Sequence, residues 1–264
     1  EIAEKDVVLF PTPPLVLTMG QFGSGGFPST GGWIAGNPAS IPPLKYYLKD
    51  RLNTGEVKAD IYDASGKLVQ SIPGSKRKGI NMLSWNLRMN PPKVATGGTK
   101  LDFSGFVAPM VLPGDYTLKL KVGDSVYTSP LKVVHDVSNK DFTLEDRKLQ
   151  YKTAMELYKM HEQLAAVVDT INAKQKIIKE NLSKVTDSAL KRSMVAYNDE
   201  LEKLRSECLG TKQKSIFADE KKLREEITDV YGAVSGQEAA PSNLQIQRTT
   251  VLQQEVKKKD DSHK

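Results

Sequence analysis

The chain has 264 residues, of which 39% are hydrophobic and 27% charged, and its formal net charge is +6 at pH 7. This length allows two domains of ordinary size, and the composition is that of a globular protein. No apolar run reaches the 18 or so residues that a membrane-spanning helix needs. The densest cationic cluster is Lys76-Arg77-Lys78, in a predicted loop, whereas nucleic-acid binders concentrate cations on one helix or face. We therefore expect neither a transmembrane segment nor a nucleic-acid partner.

Residues 1–40 form a Gly/Pro-rich stretch that we interpret as a linker or a draped segment. Seven glycines lie between Gly20 and Gly36, and no apolar period persists there. The run Gly23-Ser24-Gly25-Gly26 is not followed by the Lys-Ser/Thr of a phosphate-binding loop. The first residues also lack the basic start and apolar stretch of a signal peptide, so we expect the chain to begin downstream of one.

Residues 41–138 show the pattern of an antiparallel, Ig-like β-sandwich, in which short alternating segments are separated by turn residues. The predicted strands are Leu44 to Leu48, Val57 to Ile61, Leu68 to Ile72, Met82 to Arg88, Tyr116 to Val122 and Val126 to Val134. Residues 93–106 are predicted to be a long loop. Trp85 is the expected core anchor, rather than a sugar-stacking platform, because its strand neighbours are apolar. Tyr116 is expected to tie a turn through its hydroxyl group.

Residues 139–264 change to a helical period and predict an all-α bundle, with an extended coiled coil as the alternative. A long helix is expected from Thr143 to about Lys184, and a second from about Asp187 to Cys208. These two should form an antiparallel hairpin, because their apolar spacings alternate between four and three. Two shorter helices are predicted around Leu223 to Gly236 and after Pro241. The charged tail from Lys257 to Lys264 is expected to be frayed.

The residue types that carry chemistry form no recognisable constellation. Cys208 is the single cysteine, which rules out an intrachain disulfide and favours a small buried hydrophobe. The histidines His135, His161 and His263 lie far apart, and His161-Glu162 lacks the second histidine of a His-Glu-x-x-His zinc site. We therefore predict no catalytic residue, no metal ligand and no cofactor.

Carboxylate pairs such as Glu225-Glu226 lie among Lys and Arg, as on a solvated helix face, whereas a glycosidase holds its two acids across a pocket. Asp187-Ser188-Ala189 resembles a bacterial O-glycosylation acceptor, although a helix N-cap explains it better.

An ordered set of motifs resembles one particular type of protein tail. These motifs are Ile41-Pro42-Pro43-Leu44-Lys45-Tyr46-Tyr47-Leu48-Lys49, Gly55-Glu56-Val57, Ile61-Tyr62-Asp63-Ala64-Ser65-Gly66, Trp85-Asn86-Leu87-Arg88, Pro91-Pro92, Val111-Leu112-Pro113-Gly114-Asp115-Tyr116-Thr117 and, in the helices, Leu223, Tyr231-Gly232-Ala233-Val234-Ser235 and Pro241. Over residues 40–256 they look like the C-terminal region of bacterial sortilin-like or sialidase-type (BNR-repeat) β-propeller proteins, often labelled glycosyl hydrolases. The sandwich is similar to the Ig-like domain of flagellar hook-capping proteins.

The resemblance implies export to the periplasm, the cell surface or the outer membrane. It implies no catalytic residue here, because the propeller repeats that would carry a glycosidase or ligand site are absent from this sequence. Two functions remain open at this point: a structural and protein-interaction segment that docks to its own propeller or to a cell-envelope complex, and an accessory carbohydrate-binding region of a glycosyl hydrolase.

Exposed planar rings would favour the carbohydrate function, and only Trp33 and the adjacent Tyr46 and Tyr47, on opposite faces of a strand, are candidates. For protein docking, the long first helix is expected to leave part of its apolar stripe open. We expect the contact near the start of that helix, because adaptable methionines and amphipathic tyrosines suit interfaces. The residues predicted for it are Met155, Leu157, Tyr158 and Met160; the alternative is that they pack on the sandwich of the same chain.

Overall fold

The protein combines two β-sheets with four α-helices, which confirms the predicted β plus α organisation. The structure is a computed structural model that describes residues 2–18, 41–96, 107–210 and 220–262. The glycine-rich stretch with Gly23-Ser24-Gly25-Gly26, Trp33, most of the predicted loop at residues 93–106, and His263 lie outside the described residues. The chain divides into two compact units. Unit 1 comprises Glu1–Asn90 and Met110–Leu144, and unit 2 comprises Pro91–Pro109 and Glu145–Lys264.

Unit 1 contains a three-stranded and a five-stranded sheet, and one of the two curls into a half-barrel. In chain order the strands are β1 (Val7–Leu9), β2 (Leu15–Leu17), β3 (Leu44–Leu48), β4 (Val57–Asp63), β5 (Leu68–Pro73), β6 (Gly79–Leu83), β7 (Gly114–Val122) and β8 (Ser125–His135). The smaller sheet has the order β1-β3-β6, and the larger has the order β2-β8-β7-β4-β5.

Predicted strands such as β7 form because every second side chain along them is apolar and buried. Along β7, residues 116, 118, 120 and 122 are buried, while the polar residues between them face outward. A turn at Gly123, which has a φ of +58°, joins β7 to β8. On β3, Tyr46 is buried and Tyr47 half-buried, as expected for neighbours on opposite faces.

Two parts of unit 1 differ from the sequence-based expectation. Residues 7–9 and 15–17 are strands and not linker: β1 pairs antiparallel with β3, and β2 pairs parallel with β8. Each is only three residues long, and Pro11, Pro13 and Pro14 stand between them, so neither shows a usable period. The strand expected at Met82 to Arg88 ends at Leu83, and the predicted stretch also contains Leu87, whose φ of +57° is a left-handed conformation that a regular strand does not contain.

Unit 2 contains the four helices α1 (Leu144–Asn181), α2 (Ser188–Cys208), α3 (Leu223–Ser235) and α4 (Asn243–Ser262). Their bounds lie close to the predicted ones. The tail is the exception, since α4 continues to Ser262 where fraying was expected. Its buried Leu252 and Val256, and an ion pair between Lys259 and Glu207 of α2, tie this end of the helix to the unit.

The connection from β6 to β7 belongs to unit 2, although the sequence placed it within the sandwich at residues 41–138. Ala95 is part of the buried core of the helices, and Val107 packs against that core. Tyr231 of α3 donates a hydrogen bond of 2.9 Å to the Val107 carbonyl oxygen. The helical unit is therefore assembled from two separate stretches of the chain.

Helices α1 and α2 run antiparallel, as predicted. Gln175 of α1 donates from Nε2 to Oε2 of Glu202, near the end of α2, at 3.1 Å, while Leu182, at the end of α1, lies beside Val195, nearer the start of α2. The last buried residue of α1 is Ile171, and the first of α2 is Leu201. Beyond this pair, no residue of either helix is buried in the part of the chain that the structure describes.

Candidate interaction surface

The four residues predicted for docking do not form an open face. Leu157 and Met160 are 0% and 1% exposed and lie in the buried core of the helices, so neither side chain is accessible to a partner. Met155 and Tyr158 are half-buried. The Tyr158 hydroxyl lies 3.4 Å from the carbonyl oxygen of Pro91, and burial raises the pKa of this phenol. Leu157 and Met160 thus pack within unit 2, in a core that also contains Ala95.

The open face lies instead at the other end of α1. We define the distal hairpin as residues 172–200, from the residue after Ile171 to the residue before Leu201. None of these residues is buried. The last ten residues of α1 extend about 15 Å past Ile171, since a helix rises 1.5 Å per residue. A pair of helices alone cannot enclose a core, so its apolar side chains remain partly in water.

Several large apolar side chains are exposed on the distal hairpin. Their exposures are 60% for Ile177, 50% for Leu190, 44% for Val195 and 44% for Tyr197. Across the seam, the Lys174 ammonium lies 6.0 Å from the centre of the Tyr197 ring, which is the outer limit of a cation–π contact. Single exposed apolar residues are common on protein surfaces, whereas larger contiguous apolar patches are typical of interaction sites.

A groove runs between the two helices of the distal hairpin. It consists of two adjoining depressions of about 660 Å³ and about 620 Å³, which share Lys179, Leu182 and Val195 in their walls. We call these two depressions together the hairpin groove. Its floor is apolar, and its ends are defined by Asn172 on α1 and Lys191 on α2.

Cations dominate the rim of the hairpin groove. Lys176, Lys179, Lys191 and Arg192 line it together with a single acid, Asp199. Lys176 lies 3.9 Å from Glu180 on its own helix. In the part of the chain that the structure describes, the side chains of Lys179, Lys191 and Arg192 form no ion pair.

The turn that closes the distal hairpin is held by a helix cap. One carboxylate oxygen of Asp187 accepts hydrogen bonds from the backbone N–H groups of Ala189 at 2.7 Å and Leu190 at 3.4 Å. The first N–H groups of a helix have no carbonyl acceptor within the helix itself. A side-chain acceptor such as that of Asp is therefore favoured at the position before them. Asp187 thus has the N-cap geometry expected from the sequence.

The two aromatic residues assigned to the sandwich core lie side by side in unit 1. The Trp85 ring is 2% exposed, and it packs edge-to-face on Tyr116 with 5.6 Å between the ring centres. The Trp85 indole N–H donates to the Arg88 carbonyl oxygen at 3.1 Å. The Tyr116 hydroxyl donates to the Leu112 carbonyl oxygen at 2.8 Å. Neither ring is exposed in the way that a sugar platform requires.

The remaining candidate groups for chemistry are buried or dispersed. Burial raises the pKa of the Cys208 thiol to about 11, so this side chain is a neutral thiol at physiological pH. His161 is buried and packs edge-to-face on Tyr231, with ring centres 5.5 Å apart. Among the residues that the structure describes, no three or more His, Cys, Asp or Glu side chains are grouped to hold a metal ion.

Comparisons with known proteins give no relative for this chain. No protein-family model, no curated protein and no solved structure matches it. In the described ranges, none of the helices has the length and apolar content that crossing a membrane requires.

Proposed function

We propose that this chain is a non-catalytic structural and protein-interaction region of an exported bacterial β-propeller protein, and that it docks to its own propeller or to a cell-envelope complex. The sortilin-like, BNR-repeat resemblance of residues 40–256 motivates the export and the propeller. The distal hairpin is the observation on which the docking role rests. A stretch of 29 residues with no buried side chain and several exposed apolar ones gains stability from a partner that covers it.

We propose further that unit 1 is an Ig-like sandwich. Its strand orders, β1-β3-β6 and β2-β8-β7-β4-β5, suit the two sheets of such a domain, whose first strand divides between both sheets. Tyr116 supports the same assignment, because a hydrogen bond from a tyrosine on a late strand to a backbone carbonyl four residues upstream is typical of the tyrosine corner. Tyr46 of the smaller sheet donates to the Ser75 carbonyl oxygen at 2.5 Å, beside the end of β5 of the larger one.

No observation on the described residues favours the carbohydrate-binding alternative. Glycan platforms need exposed rings on one sheet face, and Tyr46 is fully buried while Tyr47, Tyr62 and Tyr127 are half-buried. Lys119 also lies 4.6 Å above the centre of the Tyr62 ring, where a sugar would have to stack.

Photo-crosslinking in the organism of origin tests the docking role. A photoreactive amino acid replaces Leu190 in the distal hairpin of the full-length gene product, and a control replaces Lys152, an exposed residue of α1 outside the hairpin. We expect one discrete adduct, intramolecular or with one envelope protein, from position 190 and not from position 152. Absence of any discrete adduct from position 190 contradicts the docking role.

Cell fractionation of the same strains tests the location. The product should appear in the periplasmic, surface or outer-membrane fraction, and recovery only from the cytoplasm contradicts export.

A further inference from the structure

We propose that the hairpin groove binds an amphipathic α-helix of another polypeptide, whose apolar stripe is flanked by Asp and Glu residues. This inference rests on the proposed docking function and specifies the chemistry of its partner. The juxtaposition that carries it is an apolar floor, formed by Leu182 and Val195, between two basic walls.

The positive charges of the rim favour a negatively charged partner. Lys179 stands on the α1 side, and Lys191 and Arg192 stand on the α2 side, so both walls are basic. In the described part of the chain these three cations have no ion-pair partner. An acidic flank on each edge of an inserted helix would meet a cation on each wall, and the apolar surroundings would strengthen these contacts relative to water. A basic helix would be repelled along both edges.

The same charges argue against a second copy of this chain as the occupant. The distal hairpin as a whole carries six Lys and Arg residues against four Asp and Glu residues, and the groove itself carries four cations against one anion. Two such grooves placed face to face would bring like charges together, which is destabilising.

The chain also holds no acidic segment of its own that could occupy the groove. The internal stretches outside the described residues, 19–40, 97–106 and 211–219, contain three lysines and two aspartates in total. None has a net negative charge. These stretches therefore supply no acidic helix, and the proposal assigns the occupant to a different polypeptide.

The hairpin groove has a form that suits a helix. It is open and shallow, its apolar residues lie between two antiparallel helices, and cations from both helices stand at its edges. Such a groove matches the side chains that a helix presents at positions i, i+3, i+4 and i+7.

A charge-swap experiment tests the proposal on the full chain. The probes are two fluorescently labelled synthetic helical peptides with the same leucine stripe, one flanked by Glu and the other by Lys, and fluorescence anisotropy reports binding. We expect the Glu-flanked peptide to bind at least about tenfold more tightly than the Lys-flanked one. The Lys191→Glu/Arg192→Glu variant should lose this preference or reverse it. A second variant, Lys179→Glu on the opposite wall, should weaken binding of the Glu-flanked peptide, and circular dichroism checks that both variants keep their helices.

A matched control reverses two exposed lysines of α1 outside the hairpin, Lys152→Glu/Lys159→Glu, and should bind like the wild type. Equal binding of both peptides, or no binding of either, overturns the acidic-helix proposal. A wild type that binds phosphatidylserine vesicles more tightly than the Glu-flanked peptide, or that dimerises through the hairpin in sedimentation, overturns it as well. A discrete crosslink from position 190 that persists in those cases leaves the docking function standing, so the two failures are distinguishable.

Discussion

The guanidinium group of Arg224 joins two distant parts of unit 2, because its Nη1 donates a hydrogen bond of 3.0 Å to the Ala95 carbonyl oxygen, 129 residues earlier in the chain. The same side chain is buried and paired with Glu225, whose carboxylate also accepts from the backbone N–H groups of Gly210 and Lys222 at 3.1 Å each. One buried ion pair thus connects the start of α3, the residues that follow α2 and Ala95.

Replacing Arg224 should destabilise unit 2 strongly. Arg224→Met leaves the Glu225 carboxylate buried without its cation, which typically costs about 3–5 kcal/mol. Urea denaturation monitored by helical ellipticity measures the change. Arg224→Met/Glu225→Gln should be more stable than the single variant, because it removes the stranded charge and keeps an acceptor. As a control, Lys148→Met removes an exposed ion pair with Glu145 and should cost less than about 1 kcal/mol. A similarly small effect of Arg224→Met contradicts the role of the buried pair.

Emptying the Trp85 site should destabilise unit 1. Trp85→Ala removes a large ring from contact with Tyr116 and should lower the free energy of unfolding by about 3–5 kcal/mol. Calorimetry of the full chain should show a lower melting temperature for one transition. Ile80→Ala is the control, since Ile80 is an exposed strand residue. A Trp85→Ala protein with the melting profile of the wild type would show that the ring is not a core anchor.

Removing the cap at the hairpin turn should loosen the start of α2. Asp187→Ala deletes the acceptor for the Ala189 and Leu190 amides and should cost about 0.5–2 kcal/mol. Amide hydrogen exchange at these two residues should become faster. Asp187→Asn keeps an acceptor oxygen and should retain most of the protection. If Ser188→Ala, and not Asp187→Ala, accelerated the exchange, the assignment of the cap would be wrong.

The Cys208 thiol should make stability depend on alkaline pH. Its pKa is raised by burial from 9.0 to about 11, so the unfolded chain ionises first as the pH rises. The stabilisation that the neutral thiol gives is fully present below about pH 9. As the pH rises from 9 to 11 the free energy of unfolding falls by roughly 2 kcal/mol. The difference in unfolding free energy between the wild type and Cys208→Ala isolates this effect from other titrating groups. A difference that stays constant between pH 8 and pH 11 contradicts the buried neutral thiol.

The elements that could be predicted from the sequence are those in which one residue pattern repeats several times. The alternation along β7 and the apolar spacing of α2 each extend over enough residues to fix the type of element and its bounds. β1 and β2 could not be found in this way, because three residues contain no complete period. The left-handed backbone of Leu87, beyond the end of β6, could not be predicted either, because a positive φ is uncommon for leucine.

The candidate site could be predicted only in part. The length of α1 predicted that some of its apolar side chains would be exposed, and Ile177 near its end is 60% exposed. Which side chains are exposed depends on the segments that pack on the rest of the helix. Leu157 and Met160 are covered inside unit 2, and the connection at residues 91–109, which the sequence assigned to the other domain, forms part of that unit. The basic rim could not be predicted either. Residues 141–264 contain 22 cations and 21 anions, so their net charge is close to zero and gives no sign of a local basic cluster.

The discontinuity of unit 2 sets an order for its biosynthesis. Ala95 and Val107 leave the ribosome 129 and 124 residues before Arg224 and Tyr231, their hydrogen-bond partners in α3. At about 5–20 residues per second, this delay amounts to roughly 6–26 seconds. The strands that follow Val107 are synthesised well before α3. Unit 1 can therefore fold while Ala95 and Val107, which lie between its two stretches in the sequence, still lack their partners in α3. In a nascent chain truncated between α2 and α3, the strands of unit 1 would be complete, while Ala95 and Val107 would still lack their hydrogen-bond partners in α3.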